Sequence, residues 1–509
     1  MPHTIRKRFA ASLAANILRS GISFSTGMLL ARWMGPEDYG RMAFLLASFL
    51  AVRQLLDMAS SSAFFTFLSR GPRSQRFVSL YWRWVGIQFF VVVLVVGLLF
   101  PDEWIGGIWK GEGRSLVVLA FGATFMQSTI WQIASQMAEA QRETIRVQRL
   151  NTLVVLIHLG VVLSLWWAGQ LAIPLLFAAL ALEWGFGGWL AARLYRGQAE
   201  LAESERGSTD TVASVWAEFW RYCLPFVPYA WLGFAHDFGD RWMLQHWGGA
   251  AEQAYYAVAG QFAAVALLAT ASILRIFWKE IAEAHHRQDH ARVERLYLKA
   301  SRGLYFVGAV VAGGLLPWAR EILQLTLGAA YAGGAATLMM MFLYPVHQSM
   351  GQIGGTMLYA TGHTRIQVVL GLAFMASSLV VAYFMMAPVD AAIPGLALAS
   401  EGLAYKMVIM QLVQVNIMAW FISRVFRWKY DWRYQITGLV LAVAAGWLAK
   451  IIVTGWGEPD LIAMVASVPI YLTLVFVLLY SIPSLVGAEK EEISLAIKSV
   501  RQHIRIFTL

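Results

Sequence analysis

Only one of the 509 residues is a cysteine, and only 14% of them are charged. A single thiol, Cys223, excludes an intramolecular disulfide framework and a Cys-based metal cluster. So little charge, against about a quarter in soluble chains, excludes an ordinary water-soluble domain. The chain has no Gly-x-x-x-x-Gly-Lys-[Ser/Thr] loop and no His-Glu-x-x-His, so no internal ATPase or zinc site of that type is visible. Strand-type alternation is missing, which argues against an outer-membrane barrel. Large outward loops are missing too. A membrane glycosyltransferase, polymerase or ligase would be expected to carry one with catalytic carboxylates or Arg. Here the first outward loop offers only Glu37 and Asp38, inside a turn. No enzyme and no cofactor are expected.

What is present is apolar matter, 59% of the chain, parcelled into membrane-length stretches. A helix of roughly 17–25 residues crosses about 30 Å of hydrocarbon. Fourteen such segments are expected: 10–31, 40–62, 79–100, 114–138, 150–168, 172–192, 222–243, 254–276, 302–318, 334–358, 366–387, 392–422, 435–454 and 460–482. Arg6, Lys7 and Arg8 before the first segment imitate a secretory signal. Asn16 and Arg19 interrupt its apolar run, and another helix follows at once, so it reads as a retained span. With both termini cytoplasmic, Lys and Arg divide roughly 28 inside to 7 outside, a decisive positive-inside bias. The net charge of +10 is therefore topological and needs no nucleic acid.

Two halves of the chain look related in parallel. Trp33-Met34-Gly35 with Tyr39 matches Trp247-Gly248-Gly249 with Tyr255, at an offset of about 215 residues. Ala140-Gln141-Arg142-Glu143-Thr144 matches Ala360-Thr361-Gly362-His363-Thr364 at a similar offset. The expected fold is all-α and integral to the membrane: two parallel six-helix lobes plus two extra C-terminal helices. Residues 1–200 form the first lobe, 201–218 a cytoplasmic inter-lobe linker, 219–422 the second lobe, 423–485 helices thirteen and fourteen, and 486–509 a cytoplasmic amphipathic tail. The tail places Ile493, Ile497, Val500, Ile504 and Phe507 at helical spacing.

Polar groups inside spans are costly and mark cavities or partners. Ser12, Asn16, Arg19, Ser23 and Thr26 recur every three or four residues, which puts them on one stripe of the first helix. The second span adds Arg53, Gln54 and Asp57, and the seventh adds His236, Asp237, Asp240 and Arg241. Arg275, Glu401 and Lys406 follow in later spans. Arg19, Asn16, Arg53, Arg275 and Lys406 are the substrate-binding candidates. Asp57, Asp237, Asp240 and Glu401 are the candidates for ion coupling. Arg53 and Asp57, at i,i+4, can equally neutralise each other. Arg19 has no carboxylate within helical reach, so any structural ion pair must come from another helix. His158 and Glu183, alone on apolar helices, read as an interhelical contact. Gly35-Pro36 and Gly362 read as turn chemistry, and Pro225, Pro228 and Pro345 as bends. His285-His286 with Asp289 and His290 has metal-like spacing, but lies in a run of alternating charge that reads as a solvated helix.

The phrases Leu30-Ala31-Arg32-Trp33-Met34-Gly35-Pro36-Glu37-Asp38-Tyr39-Gly40, Asp240-Arg241-Trp242-Met243-Leu244 and Tyr359-Ala360-Thr361-Gly362-His363-Thr364-Arg365 occur in that order. Together they resemble the polysaccharide-transporter (Wzx-type flippase) branch of the multidrug/oligosaccharidyl-lipid/polysaccharide (MOP) exporter superfamily. That resemblance implies a flippase in the bacterial inner membrane. It would move undecaprenyl-pyrophosphate-linked repeat units from cytoplasmic to periplasmic leaflet for O-antigen, capsule or exopolysaccharide assembly. The implied partners are the polyprenyl-pyrophosphate-linked glycan and the bilayer, with polysaccharide polymerase and chain-length machinery as further ones; a monomer is expected. The alternatives are a peptidoglycan lipid-precursor flippase and a drug/cation antiporter of the same superfamily. The antiporter would prefer an acidic, aromatic cavity over one carrying Arg19, Arg53, Arg275 and Lys406.

Overall fold

The computed structural model describes the backbone of residues 2–71, 73–203, 211–429, 431–455 and 460–487. Side chains within this range are described except at 2–14, 195–203, 268–269, 271–273 and 275–276. The described residues form helices and contain no strand. In chain order the helices are α1 (Pro2–Asp57), α2 (Ser60–Arg70), α3 (Gln75–Leu94), α4 (Asp102–Ile108), α5 (Arg114–Phe125), α6 (Trp131–Ala140), α7 (Thr144–Trp167), α8 (Ile173–Glu203) and α9 (Val212–Cys223). There follow α10 (Val227–Trp247), α11 (Ala250–His286), α12 (His290–Leu315), α13 (Ala319–Leu327), α14 (Ala335–Ala360), α15 (Thr364–Met386), α16 (Ala399–Phe426), α17 (Arg433–Thr454) and α18 (Asp460–Ser481). Two compact units result, one reaching to Ala254 with Met386–Pro388, the other made of Tyr255–Met385 and the chain from Val389. This packing boundary falls later than the expected linker at 201–218, because α10 buries one side against α1 and stays with the first unit.

Ten described helices are long and apolar enough to cross a membrane, and an eleventh appears if the bent pair α1–α2 is taken as one span. The remaining three of the fourteen expected spans are the second half of α1, α10 and α11. Gly35, at φ 76 and ψ 172, divides α1 into two helices. Only glycine occupies that backbone region readily, and Pro36 confirms the break by disfavouring helix in the residue before it. In α10, Asp237, Asp240 and Arg241 lie within one five-residue stretch and lower its hydropathy. In α11, several side chains lie outside the described residues.

Backbone geometry at the paired phrases is alike. Gly249 has φ +86 between α10 and α11, as Gly35 has φ +76 within α1. Arg142 (φ 66) and Gly362 (φ 79) occupy the same left-handed corner between consecutive helices. Glu143 N donates to Ala138 O (3.0 Å) and Arg142 N to Glu139 O (2.9 Å). The second copy repeats this, with His363 N to Leu358 O (2.8 Å) and Gly362 N to Tyr359 O (3.2 Å). These are the C-terminal bonds that satisfy orphan helix carbonyls. Pro225 sits in a single tight turn joining α9 to α10, Pro228 in the first turn of α10, and Pro345 inside α14 without ending it.

In the second unit, α17 packs on α12 through small residues. Gly438, Ala442 and Gly446 follow at every fourth position, and a Cβ on Gly446 would lie 1.9 Å from Gly313 O. This is the small-residue close approach by which helices associate in lipid. Lys450 Nζ closes the same seam, donating to Pro317 O (2.7 Å) and pairing with Glu321.

In the first unit, Arg41 forks onto Glu112, with Nε to Oε1 at 2.6 Å and Nη2 to Oε2 at 2.9 Å. The Glu112 side chain is 7% exposed and that of Arg41 43%. Arg41→Ala would strand a buried carboxylate and is expected to cost about 2 kcal/mol, below the usual buried-pair penalty because Arg41 is partly solvated. Arg41→Ala/Glu112→Gln should recover most of that loss in thermal unfolding. An additive double mutant would contradict this account of the pair.

Candidate functional site

The first unit gathers charged and amide side chains on α1, α6 and α10. The turn over Met126–Ile130 is wider than an α-turn and joins α5 to α6 in one continuous span. Such turns shift the helical register and often occur at functional sites. Just beyond it, Gln132, Ser135, Gln136 and Glu139 recur at helical spacing, a polar stripe equivalent to that on α1.

Arg19 is half-buried and interacts electrostatically with Glu139 across α1 and α6. The carboxylate missing from its own helix is thus supplied by another, though no ion pair within 4 Å forms. Asn16, one turn before Arg19, is half-buried, and its Oδ1 has no hydrogen-bond partner among the described residues. Ser12 lies outside the described side chains. Thr26 leaves the stripe as a binding group: it is buried and donates to Ile22 O at 2.8 Å.

Arg53 and Asp57 do not close an i,i+4 ion pair. Arg53 Nη2 donates to Gln132 Oε1 of α6, and Asp57 contributes only an electrostatic interaction. Asp57 instead caps α2. Its Oδ1 accepts from Ser60 Oγ (3.1 Å) and Ser61 N (2.9 Å), and its Oδ2 from Ser61 Oγ (2.9 Å). A carboxylate there satisfies an orphan helix N–H and suits the helix dipole.

Gln54 reaches α10. Its Nε2 donates to Asp237 Oδ2, and Gly233 leaves the room: a Cβ there would approach Gln54 Oε1 to 2.6 Å. His236 Nδ1 contacts Asp237 Oδ1 at 2.8 Å, while Nε2 lies 3.8 Å from Asp240 Oδ2. Asp240 is buried and Asp237 exposed. Arg241 Nη1 donates to Gln253 Oε1 (3.3 Å), and Gln253 Nε2 donates back to Arg241 O (2.5 Å), which ties the end of α10 to the start of α11.

Of the candidates in this unit, Asp237 and Asp240 are joined through His236 and reach α1 through Gln54, Arg53 reaches α6 through Gln132, Asp57 bonds Ser60 and Ser61 of α2, and Arg19 lies beside α6. Lys406 and Glu401 belong to the second unit. Lys406 is completely buried, and Glu401 is half-buried in the first turn of α16, where the helix dipole favours a carboxylate. The Arg275 side chain and the tail 488–509 lie outside the described residues. Sequence reading missed Gln132 and Glu139, although the stripe argument applied to α1 would have found them. His158 and Glu183 do meet, Nδ1 to Oε2 at 2.8 Å between α7 and α8. Asp289 caps α12, accepting from Arg292 N at 3.0 Å, and Arg287 pairs with Glu283 at 2.6 Å, as a solvated helix requires. Among the described residues no group of His, Cys, Asp or Glu is arranged to hold a metal.

No family model and no curated protein matches this chain. Solved structures do match it. It is similar to the lipid II flippase MurJ in its inward closed conformation, with a TM-score of 0.68 and 12% identity over 92% of this chain and 98% of that one. It is also similar to an inward-facing multidrug resistance MATE family transporter of the MOP superfamily, at 0.60 and 13% over 80% and 96%. A MOP superfamily transporter from Pyrococcus furiosus gives 0.52 and 12% over 82% and 95%. At such identities the likeness is one of fold. The chain has the many-helix membrane fold of MOP superfamily transporters.

Proposed function

We propose that this chain is a flippase for undecaprenyl-pyrophosphate-linked oligosaccharide repeat units. It moves them from cytoplasmic to periplasmic leaflet of a bacterial inner membrane by alternating access, for O-antigen, capsule or exopolysaccharide assembly. The observation that carries the reading is on α1. Two guanidinium groups, Arg19 and Arg53, stand inside a membrane span with α6 beside them, and neither is consumed by an ion pair among the described residues. Arg offers a planar fork of donors suited to phosphate oxygens. A pyrophosphate-sugar head cannot cross bare hydrocarbon, so a polar route with cationic stations is what the cargo requires. With the cytoplasm negative, moving anionic charge outward gains about 2.3 kcal/mol per charge per 100 mV. Nucleotide is not needed. Among the four candidate carboxylates, Asp237 is exposed and next to a histidine, so an ion-coupled cycle would run through it. Asp57 is committed to α2.

A second reading is a peptidoglycan lipid-precursor flippase. It is favoured by the 92% coverage against a lipid II flippase, compared with 80% for a multidrug transporter. Both cargoes share the polyprenyl-pyrophosphate anchor. Depletion of the protein in its own cells, followed by extraction of pyrophosphate-linked lipids, separates the two readings. Build-up of an oligosaccharide repeat unit is expected. Build-up of the peptidoglycan precursor instead would replace the first reading by the second.

A further inference from the structure

Within the first unit, a cavity of about 560 Å³ opens where α1 gives way to α2. Met58 and Ala59, at φ 40 and 66, both take the left-handed conformation, and the following helix turns away by 57°. The break at Met58 and Ala59 therefore opens a gap beside the C-terminal part of the second span. Leu56, Trp84, Trp216, Phe219, Trp220 and Cys223 wall it, from α1, α3 and α9.

The walls are braced. Tyr81 stacks on Phe64 (4.1 Å between ring centres) and on Phe219 (5.4 Å), and Trp84 meets Trp216 edge to face at 5.6 Å. These ring contacts join α2, α3 and α9 around the gap. Its volume falls in the range of ordinary ligand sites. The polar groups at its edge are already used: both oxygens of Asp57 accept hydrogen bonds from Ser60 and Ser61. A ligand rich in hydrogen-bonding groups gains little there, and the remaining lining offers mainly apolar surface. Trp220, 66% exposed, and Leu224, 49% exposed, are lining residues through which the cavity opens to the surface of this unit.

Arg53 lies one helical turn from Asp57, so the cavity adjoins the cationic part of the candidate site. We propose that this cavity seats part of the isoprenoid chain of an anionic polyprenyl lipid whose phosphate is held beside Arg53. The assignment rests on the flippase reading and names where the cargo's tail sits. Flat, methyl-branched alkene units stack on the indole and phenyl faces of Trp84, Trp216 and Phe219, whereas straight acyl chains gain less from such walls.

Cys223 is the only cysteine and lines the cavity, so the unmodified full chain carries its own reporter. The reaction rate of Cys223 with a membrane-permeant maleimide is to be measured in detergent micelles. The three arms add undecaprenyl phosphate, dipalmitoyl phosphatidic acid, or inorganic pyrophosphate. Undecaprenyl phosphate at several times its dissociation constant should slow labelling about fivefold, and the other two should leave it unchanged. No slowing by undecaprenyl phosphate overturns the proposal, and so does equal slowing by phosphatidic acid. Ala217→Phe, which fills the cavity, should abolish the protective effect. Persistence of that effect would place the tail elsewhere. The result is separable from the flippase reading. A chain that moves lipid-linked saccharide without protection of Cys223 loses only the tail site, and protection without movement of saccharide removes only the transport reading.

Discussion

Arg19→Ala should lower transport of a pyrophosphate-linked saccharide by about a hundredfold, the kinetic equivalent of about 3 kcal/mol of lost charge-assisted hydrogen bonding. Folded protein in the membrane should stay at its normal level. Arg19→Lys should retain part of the activity, because a point charge replaces a planar fork. Glu139 makes the experiment decisive. It interacts with Arg19 but does not lie within ion-pair distance. If Arg19 served only to neutralise Glu139, then Arg19→Ala would lower abundance and activity together, and Arg19→Ala/Glu139→Gln would restore both. The phosphate-binding account predicts no rescue of transport by the second change. Rescue would remove Arg19 from the site.

Gly40→Val should nearly eliminate folded protein. Gly40 lies in the second half of α1 where the start of α11 crosses it, and a Cβ there would stand 1.7 Å from Ala250 O. The obstruction is main chain on both sides, so no rotamer relieves it, and the two helices must separate. A cost of about 3 kcal/mol or more is expected, at the upper end for overpacking. Gly35→Ala five residues earlier meets no atom, since nothing lies within 4 Å of its Cβ. Its cost is conformational alone, about 1–3 kcal/mol for leaving glycine-only backbone space. Membrane abundance of the two variants should therefore differ clearly. Equal abundance would mean the helix crossing at Gly40 is absent in the folded protein.

Those two glycines also mark the limit of what the sequence makes legible. Gly35-Pro36 reads as turn chemistry, and Gly35 does take a backbone conformation that favours glycine, whereas the need for Gly40 comes from a helix contact that the sequence does not display. The paired corners at Arg142 and Gly362 were legible from their common offset, and the identical hydrogen bonds follow from that. The membrane-embedded helical class followed from hydropathy, because helices satisfy their own backbone in lipid. The site was only partly legible. Arg19 and Asn16 could be placed on one stripe because both lie on one helix. Their α6 neighbour could not, because pairing between distant helices is set by packing that one sequence does not display. The capping role of Asp57 was not legible for a different reason. Met58 and Ala59 are ordinary helix formers, and nothing in them announces the left-handed break that turns Asp57 into a cap. The complete burial of Lys406 was not legible either, since periodicity says that a residue faces inward but not whether space lies in front of it.

The central claim is transport of a lipid-linked saccharide without nucleotide. Purified protein in liposomes holding a fluorescent polyprenyl-pyrophosphate-linked oligosaccharide tests it most directly, with a membrane-impermeant quencher or glycosidase reporting which leaflet the sugar occupies. With no ATP present and an imposed potential, the wild-type chain should expose the inner-leaflet sugar to the outside reagent, and Arg19→Ala liposomes should behave like protein-free ones. Strict dependence on added ATP, or equal exposure by wild type and Arg19→Ala, would contradict the account.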